Sequence, residues 1–303
     1  MTLPSTRFVR LLYSLTVALG AFLLFLLEPL FAKMILPRFG GSAAVWSTCL
    51  VFFQSALLLG YYYADVLTRR LSATRQASTH IALLMVSLAL MPVAPHVVLS
   101  APSSNYPAFH ILVLLMASIG LPFVLLSATS PLIQAWKARM GAAAYHLFAI
   151  SNFASLVALL SFPFLIEPRM SSHRQAQLWS MLYAVFVILC SLTAWMSRRE
   201  GAIAGAVSAA VQVEQAATDP AVVVAAASAS PAPSSRHDWI LWLALSACGS
   251  VLLLATTNHL TEDVAPVPLL WVLPLASYLL TFTMAFARRS FYSRWLMMRF
   301  VAV

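Results

Sequence analysis

Charge is what this 303-residue chain has least of: 9% of its residues are Asp, Glu, Lys or Arg, against about a quarter in soluble domains. That scarcity comes with 61% hydrophobic residues and a mean hydropathy of +0.87. Together they exclude a chain built to dissolve in water, and apolar runs near twenty residues make a bilayer the expected solvent. Acidic residues are scarcer than basic ones, giving a net charge of +9. The basic residues nevertheless fall in small groups between apolar runs and form no clustered phosphate-binding face, so nucleic acid is not an expected partner. Cysteine is limited to Cys49, Cys190 and Cys248, each inside an apolar run and none in a C-x-x-C pair. They are expected to be small buried hydrophobes and say nothing about redox compartment. The histidines, from His80 to His259, lack H-x-x-x-H or HExxH spacing, so no metal and no cofactor is expected. A G-x-G-x-x-G turn is also missing, as is any nucleophile, base and orienter at plausible spacing, and no catalytic residues are assigned.

What the chain does have is a series of apolar runs: 11–32, 44–66, 78–99, 108–130, 144–166, 175–196, 238–258 and 266–286. Each is long enough to cross about 30 Å of hydrocarbon at about 1.5 Å per residue. A ninth begins near Phe291 and stops at Val303. The expected fold class is therefore all-α: an integral membrane protein, a polytopic bundle of about eight complete transmembrane helices plus a truncated ninth. The first run follows Arg7 and Arg10 but is too long for a signal peptide and ends in Glu28-Pro29 instead of a small-residue cleavage site, so it is expected to be retained. With the N-terminus in the cytoplasm, thirteen Lys and Arg fall in inside segments, while only Lys33, Arg38, Arg169 and Arg174 fall outside. The positive-inside rule then places the N-terminus inside. The tryptophans Trp46, Trp136, Trp179, Trp195, Trp239 and Trp271 lie near the ends of the runs, as an interfacial aromatic belt would.

Residues 197–236 change to Ala, Ser, Val and Pro, as in AVVVAAASASPAPSSR, with no amphipathic face. A flexible cytoplasmic linker is expected there, separating a six-helix bundle at 1–196 from the start of a second bundle at 237–303. Six helices, a linker and a new set is the layout of the major facilitator fold, with its two halves related by a parallel repeat. Gly60-YYYA-Asp65-VLT-Arg69-Arg70, expected in the loop after the second helix, is a loose version of that superfamily's G-x-x-x-D-R/K-x-G-R/K-R/K loop, one residue off in spacing and lacking the second Gly.

Four blocks carry a closer likeness: FLLFLLEPLFAKMILPRFGGSAAVWSTCLVFFQSALLLGYYYA at 22–64, LPFVLLSATSPLIQAW at 121–136, YHLFAISNFASLVALLSFPFLIEP at 145–168 and TNHLTEDVAPVPLLWVLPLASYLLTF at 257–282. In this order they resemble the membrane half of bacterial fused major-facilitator/spermidine synthase-like proteins, over most of the chain outside the linker. The resemblance implies a multi-pass protein of the bacterial inner membrane, and as partners the lipid bilayer and a soluble aminopropyltransferase-like domain that this sequence does not contain. It also implies a cationic small molecule, such as a polyamine, as what a transporter-like domain would bind or move. The alternative is a membrane anchor or regulatory module for the aminopropyltransferase-type domain, without transport.

The candidate site residues are those that are costly in hydrocarbon, where a mid-helix charge costs about 2.5 to 3.5 kcal/mol on insertion scales. Glu28, Glu167, Glu262 and Asp263 all fall at the expected external side, as an acidic vestibule for a cation or as helix-end charges in loops poor in Lys and Arg. Glu28 has two open roles, a pair with Lys33 or a contact to ligand; Glu167-Pro168 repeats the pattern with Arg169. Gln54 and Asn152 join the set as polar groups that line a substrate path or only pack helices, as do the hydroxyls around Pro131. Asn258 and His259 complete it. His259 alone has acidic neighbours and is either a proton-sensitive gate or an ordinary interfacial histidine.

Overall fold

The structure is a computed structural model that describes residues 6–40, 42–91, 106–139, 145–218, 235–263 and 272–286. Among the described residues it is all-helical, with no strand. The elements are α1 (Thr6–Phe39), α2 (Ala43–Arg70), α3 (Ala73–Ala89), α4 (Pro107–Leu115), α5 (Leu121–Ala138), α6 (Tyr145–Ser161), α7 (Ser172–Thr218), α8 (Arg236–Asp263) and α9 (Val272–Phe286). A π-helical turn, Met116–Gly120, joins α4 to α5 in one long rod, and a second, Phe162–Ile166, extends α6.

Among the described residues six helices are long and apolar enough to cross a membrane: Arg7–Phe39, Ser47–Arg70, Pro107–Ala138, His146–Ile166, Ser172–Arg198 and Arg236–Thr257. This is the make-up of a membrane protein. Of the eight complete spans expected, the other two, 78–99 and 266–286, overlap the shorter α3 and α9 in part; residues 92–99 and 266–271 and the ninth run from Phe291 lie outside the described residues.

The chain divides into two compact units, residues 1–198 with 279–303, and residues 199–278. In the first, α1 packs along α5 and α6, and α2 along α4 and α5. Lipid is as apolar as leucine, so close packing and hydrogen bonds hold such helices together more than hydrophobic expulsion does. One buried cluster contains Leu23, Leu27, Phe31, Phe52, Phe53, Phe123, Trp179 and Phe186. A second, richer in small side chains, contains Val17, Ala64, Ala77, Ala128, Leu132 and Ala194.

Hydrogen bonds cross the helices at regular steps. On α3, Gln76, His80, Leu84 and Ser87 share one buried face. Two of them meet α7 seven residues apart, His80 Nε2 lying 3.6 Å from Cys190 Sγ and Ser87 Oγ 2.6 Å from the Tyr183 hydroxyl. The other ring nitrogen of His80 faces the Tyr63 hydroxyl at 3.2 Å. Between α1 and α7 the hydroxyls of Thr16 and Thr193 are 2.9 Å apart. Gln76, only 1% exposed, ties three elements. Its Nε2 donates to the carbonyls of Thr68 and Leu71, and its Oε1 accepts from Trp136 Nε1 and Arg139 Nη2.

Several local features depart from expectation. The Gly60 to Arg70 segment lies on α2 and not in a loop: Asp65 and Arg69 form an i,i+4 pair at 2.7 Å on its exposed face, a spacing that supports helix. Helix α7 runs on to Thr218, into the expected linker, because Ala carries the highest helix propensity; residues 219–234 lie outside the described ones. Trp136 and Trp179 are buried, with their indole N–H groups satisfied by Gln76 and by the Leu23 carbonyl at 3.0 Å, so they belong to the core and not to an aromatic belt. Cys248 is exposed on α8, unlike the buried Cys49 and Cys190. None of the apolar window of α8 is covered by protein.

Candidate functional site

The polar groups that converge are at the end of the bundle where α1 and α6 finish and α7 begins. Helix α1 carries Glu28 and Lys33 on an otherwise apolar turn-and-a-half, and remains continuous through Pro29 and Pro37. It ends at Gly40, whose φ of 77° lets its N–H close back on the Leu36 carbonyl at 2.9 Å. Helix α6 arrives through the Phe162–Ile166 π turn. There Pro163 has no N–H to give, and Glu167 N donates five residues back to the Phe162 carbonyl at 2.8 Å.

That turn aims Glu167 at α1. Lys33 Nζ lies 2.6 Å from Glu167 Oε1, so the expected pair of Glu28 with Lys33 is not formed. The reason is helical geometry: five residues rotate about 140° around the axis, to another face. Arg169 does not pair with Glu167 either; its Nη1 donates to the Phe164 and Leu165 carbonyls at 2.9 and 3.3 Å, closing the end of the π turn. Gln175, in the first turn of α7, donates from Nε2 to the Met170 carbonyl at 2.8 Å and to Glu167 Oε2 at 3.4 Å. Its side-chain Oε1 is buried and has no hydrogen-bond partner among the described residues.

Beside this cluster is a cavity of about 90 Å³. Phe22, Leu26 and Leu30 of α1 line one wall at four-residue steps, Phe162 and Ile166 of the π turn another, and Gln175, Leu178, Trp179 and Leu182 of α7 the third. Nothing in the local sequence announced it, because the α1 wall at residues 22–30 is far along the chain from the other two at 162–166 and 175–182. The cue was present in part, since a π turn often marks a functional position and the F-P-F-L-I-E-P stretch has two prolines around it.

Glu28 is a separate case. It is partly buried on α1, and among the described residues no cation lies within ion-pair distance of it. Of the other candidates, Gln54 is exposed on α2, and Asn152 returns its Nδ2 to the Phe148 carbonyl at 2.8 Å, a bond within its own helix. His259 is exposed on α8. Asn258, Glu262 and Asp263 fall on the last turns of the same helix and not in a loop; their side chains lie outside the described residues, as do Pro266 and Pro268. Glu28 and Glu167 belong to the first compact unit and the residues of α8 to the second. The hydroxyls around Pro131 also bond within their helix, Ser127 to the Val124 carbonyl and Thr129 to the Leu125 carbonyl, both at 2.9 Å. Among the described residues no group of His, Cys, Asp and Glu could hold a metal ion.

No protein-family model, curated protein or solved structure matches this chain.

Proposed function

We propose that this chain is the transporter-like, major-facilitator-type membrane domain of a spermidine synthase-like fusion protein, and that it binds or moves a cationic small molecule such as a polyamine. Glu28 is the group that receives the cation. The observation that carries this function is an ionisable side chain on an apolar, membrane-length helix with no cation beside it among the described residues. Such a charge is costly to keep in hydrocarbon, and its usual uses are substrate or proton binding. Lys33 neutralises Glu167 and leaves Glu28 as the open charge of the pair of carboxylates.

The test is binding of labelled spermidine to the purified chain in nanodiscs. Glu28→Gln is expected to weaken binding by at least about tenfold, as loss of one desolvated charge partner does. Unchanged affinity in a folded Glu28→Gln protein would refute it. The Lys33–Glu167 pair favours the second function, a membrane anchor or regulatory module for an aminopropyltransferase-type domain, because this carboxylate holds α1 to the end of α6 and is not an open charge for a polyamine.

A further inference from the structure

The cavity between α1, the π turn and α7 has an occupant written into its polar edge. Trp179 spends its N–H on the Leu23 carbonyl, so Gln175 is the one lining residue with polar capacity to spare, and it is only 3% exposed. The orientation of its amide is fixed by chemistry: Nε2 faces two acceptors, the Met170 carbonyl and Glu167 Oε2, so the atom left over must be the carbonyl oxygen. An unsatisfied buried acceptor calls for a donor. Glu167 beside it, 38% exposed at its side chain, gives Oε1 to Lys33 while its Oε2 has only the 3.4 Å contact from Gln175, so a second donor, best a positive one, fits there. Lys33, 33% exposed, uses one of its three N–H groups on Glu167 and has others to offer an anion.

The apolar part is equally selective. A narrow cleft of about 90 Å³ walled by Phe, Leu, Ile and Trp side chains suits a stretch of alkyl chain. Phe22, Leu26 and Leu30 extend it about 12 Å along α1, the direction in which lipid chains lie beside a spanning helix. Leu178, which lines it, is itself exposed on the outer surface.

We infer that this cleft is a lipid-binding site for a phospholipid whose headgroup combines a phosphate with a primary ammonium. The ammonium donates to Gln175 Oε1 and Glu167, the phosphate accepts from Lys33, and one acyl chain occupies the cavity. This is independent of whether Glu28 binds a polyamine.

Native mass spectrometry of the purified full chain, titrated with phosphatidylethanolamine, phosphatidylcholine and phosphatidylglycerol of identical acyl chains, tests it. Phosphatidylcholine has the same charges but no N–H, and phosphatidylglycerol has hydroxyls but no cation. The expected result is about tenfold better retention of phosphatidylethanolamine than of either, as one charge-assisted hydrogen bond provides. Gln175→Leu is expected to erase the preference, and Leu26→Trp, which fills the cavity, to lower retention of phosphatidylethanolamine itself. Leu58→Ala, on the exposed face of α2, is expected to change neither. Equal retention of the three lipids, a preference that survives Gln175→Leu, or no retained lipid of any class would each overturn the proposal. Should Leu26→Trp fail to fold, Leu182→Phe fills the same space from α7.

Discussion

The contact between α2 and α5 depends on Gly60 lacking a side chain. A Cβ placed there would collide with Ser127 Oγ and lie 2.9 Å from Ser127 Cβ and 2.8 Å from the Val124 carbonyl oxygen. The hydroxyl could rotate away, but that breaks its bond to the Val124 carbonyl at 2.9 Å, a loss of about 1 kcal/mol. The carbonyl is backbone and yields only if the helices separate; such overpacking costs about 1 to 3 kcal/mol. Against these stands a gain of about 1 kcal/mol from replacing Gly by Ala within a helix. The net expectation for Gly60→Ala is a destabilisation of about 2 kcal/mol. Reversible unfolding in bicelles would measure it, and Ser127→Ala supplies the control. Removing Oγ takes away the closest clash, so the double variant should be more stable than the sum of the singles by about 1 kcal/mol or more. If Gly60→Ala were as stable as the parent, or if Ser127→Ala gave no relief, α2 and α5 would not approach at this point. The role of Gly60 as a packing residue would then be wrong.

Other outcomes follow from the same contacts. Gln76→Leu should cost about 2 to 4 kcal/mol, since it leaves the buried Trp136 N–H and Arg139 without their shared acceptor; Gln76→Glu, which keeps an acceptor there, should cost measurably less in the same unfolding assay. A double-mutant cycle on Lys33 and Glu167 should return a coupling below about 1 kcal/mol, because both side chains are about a third exposed. A value several times larger would mean that the pair is shielded far more than its exposure indicates.

Most helices were legible in the sequence because hydropathy sets them: six of the apolar runs fall on helices long enough to cross a membrane, and those at 78–99 and 266–286 overlap the described helices Ala73–Ala89 and Val272–Phe286. Their ends were less so. Helix α2 continues through Asp65, Arg69 and Arg70, and α8 through the polar stretch to Asp263, because polar residues end an apolar run without ending a helix. The polar network was illegible for a different reason. Gln76 follows Arg75 in a stretch that reads as a water-exposed loop, while its partners Trp136 and Arg139 are some sixty residues away. The signal available was periodic: Gln76, His80 and Ser87 recur on one face of α3 at steps of four and seven residues, and after His80 the helix is otherwise apolar. Gln175 had no such signal, since its importance rests on a π turn and on walls contributed by two other helices.

The carboxylates expected to act as one external set are physically of two kinds, and the difference separates binding from anchoring. Neutralising Glu167 strands Lys33 and removes an acceptor from Gln175, so Glu167→Gln disturbs the end of the bundle whichever function is true and decides nothing. Glu28 has no cation to strand among the described residues. If the chain is only an anchor, its carboxylate is an uncompensated cost of up to about 2.5 to 3.5 kcal/mol on insertion scales, and Glu28→Gln should stabilise the protein or leave it unchanged while a fused or added synthase domain works as before. If Glu28 receives a cation, the same substitution should again leave stability level or higher but abolish the stabilisation that added spermidine confers on the parent protein, which at a hundredfold excess over its dissociation constant is about 2.7 kcal/mol. The two functions therefore agree on the apo protein and part only when the cation is present. Unfolding of the parent and of Glu28→Gln, each with and without spermidine, separates them: a spermidine effect lost in the variant supports binding at Glu28, and no spermidine effect in the parent leaves the anchor.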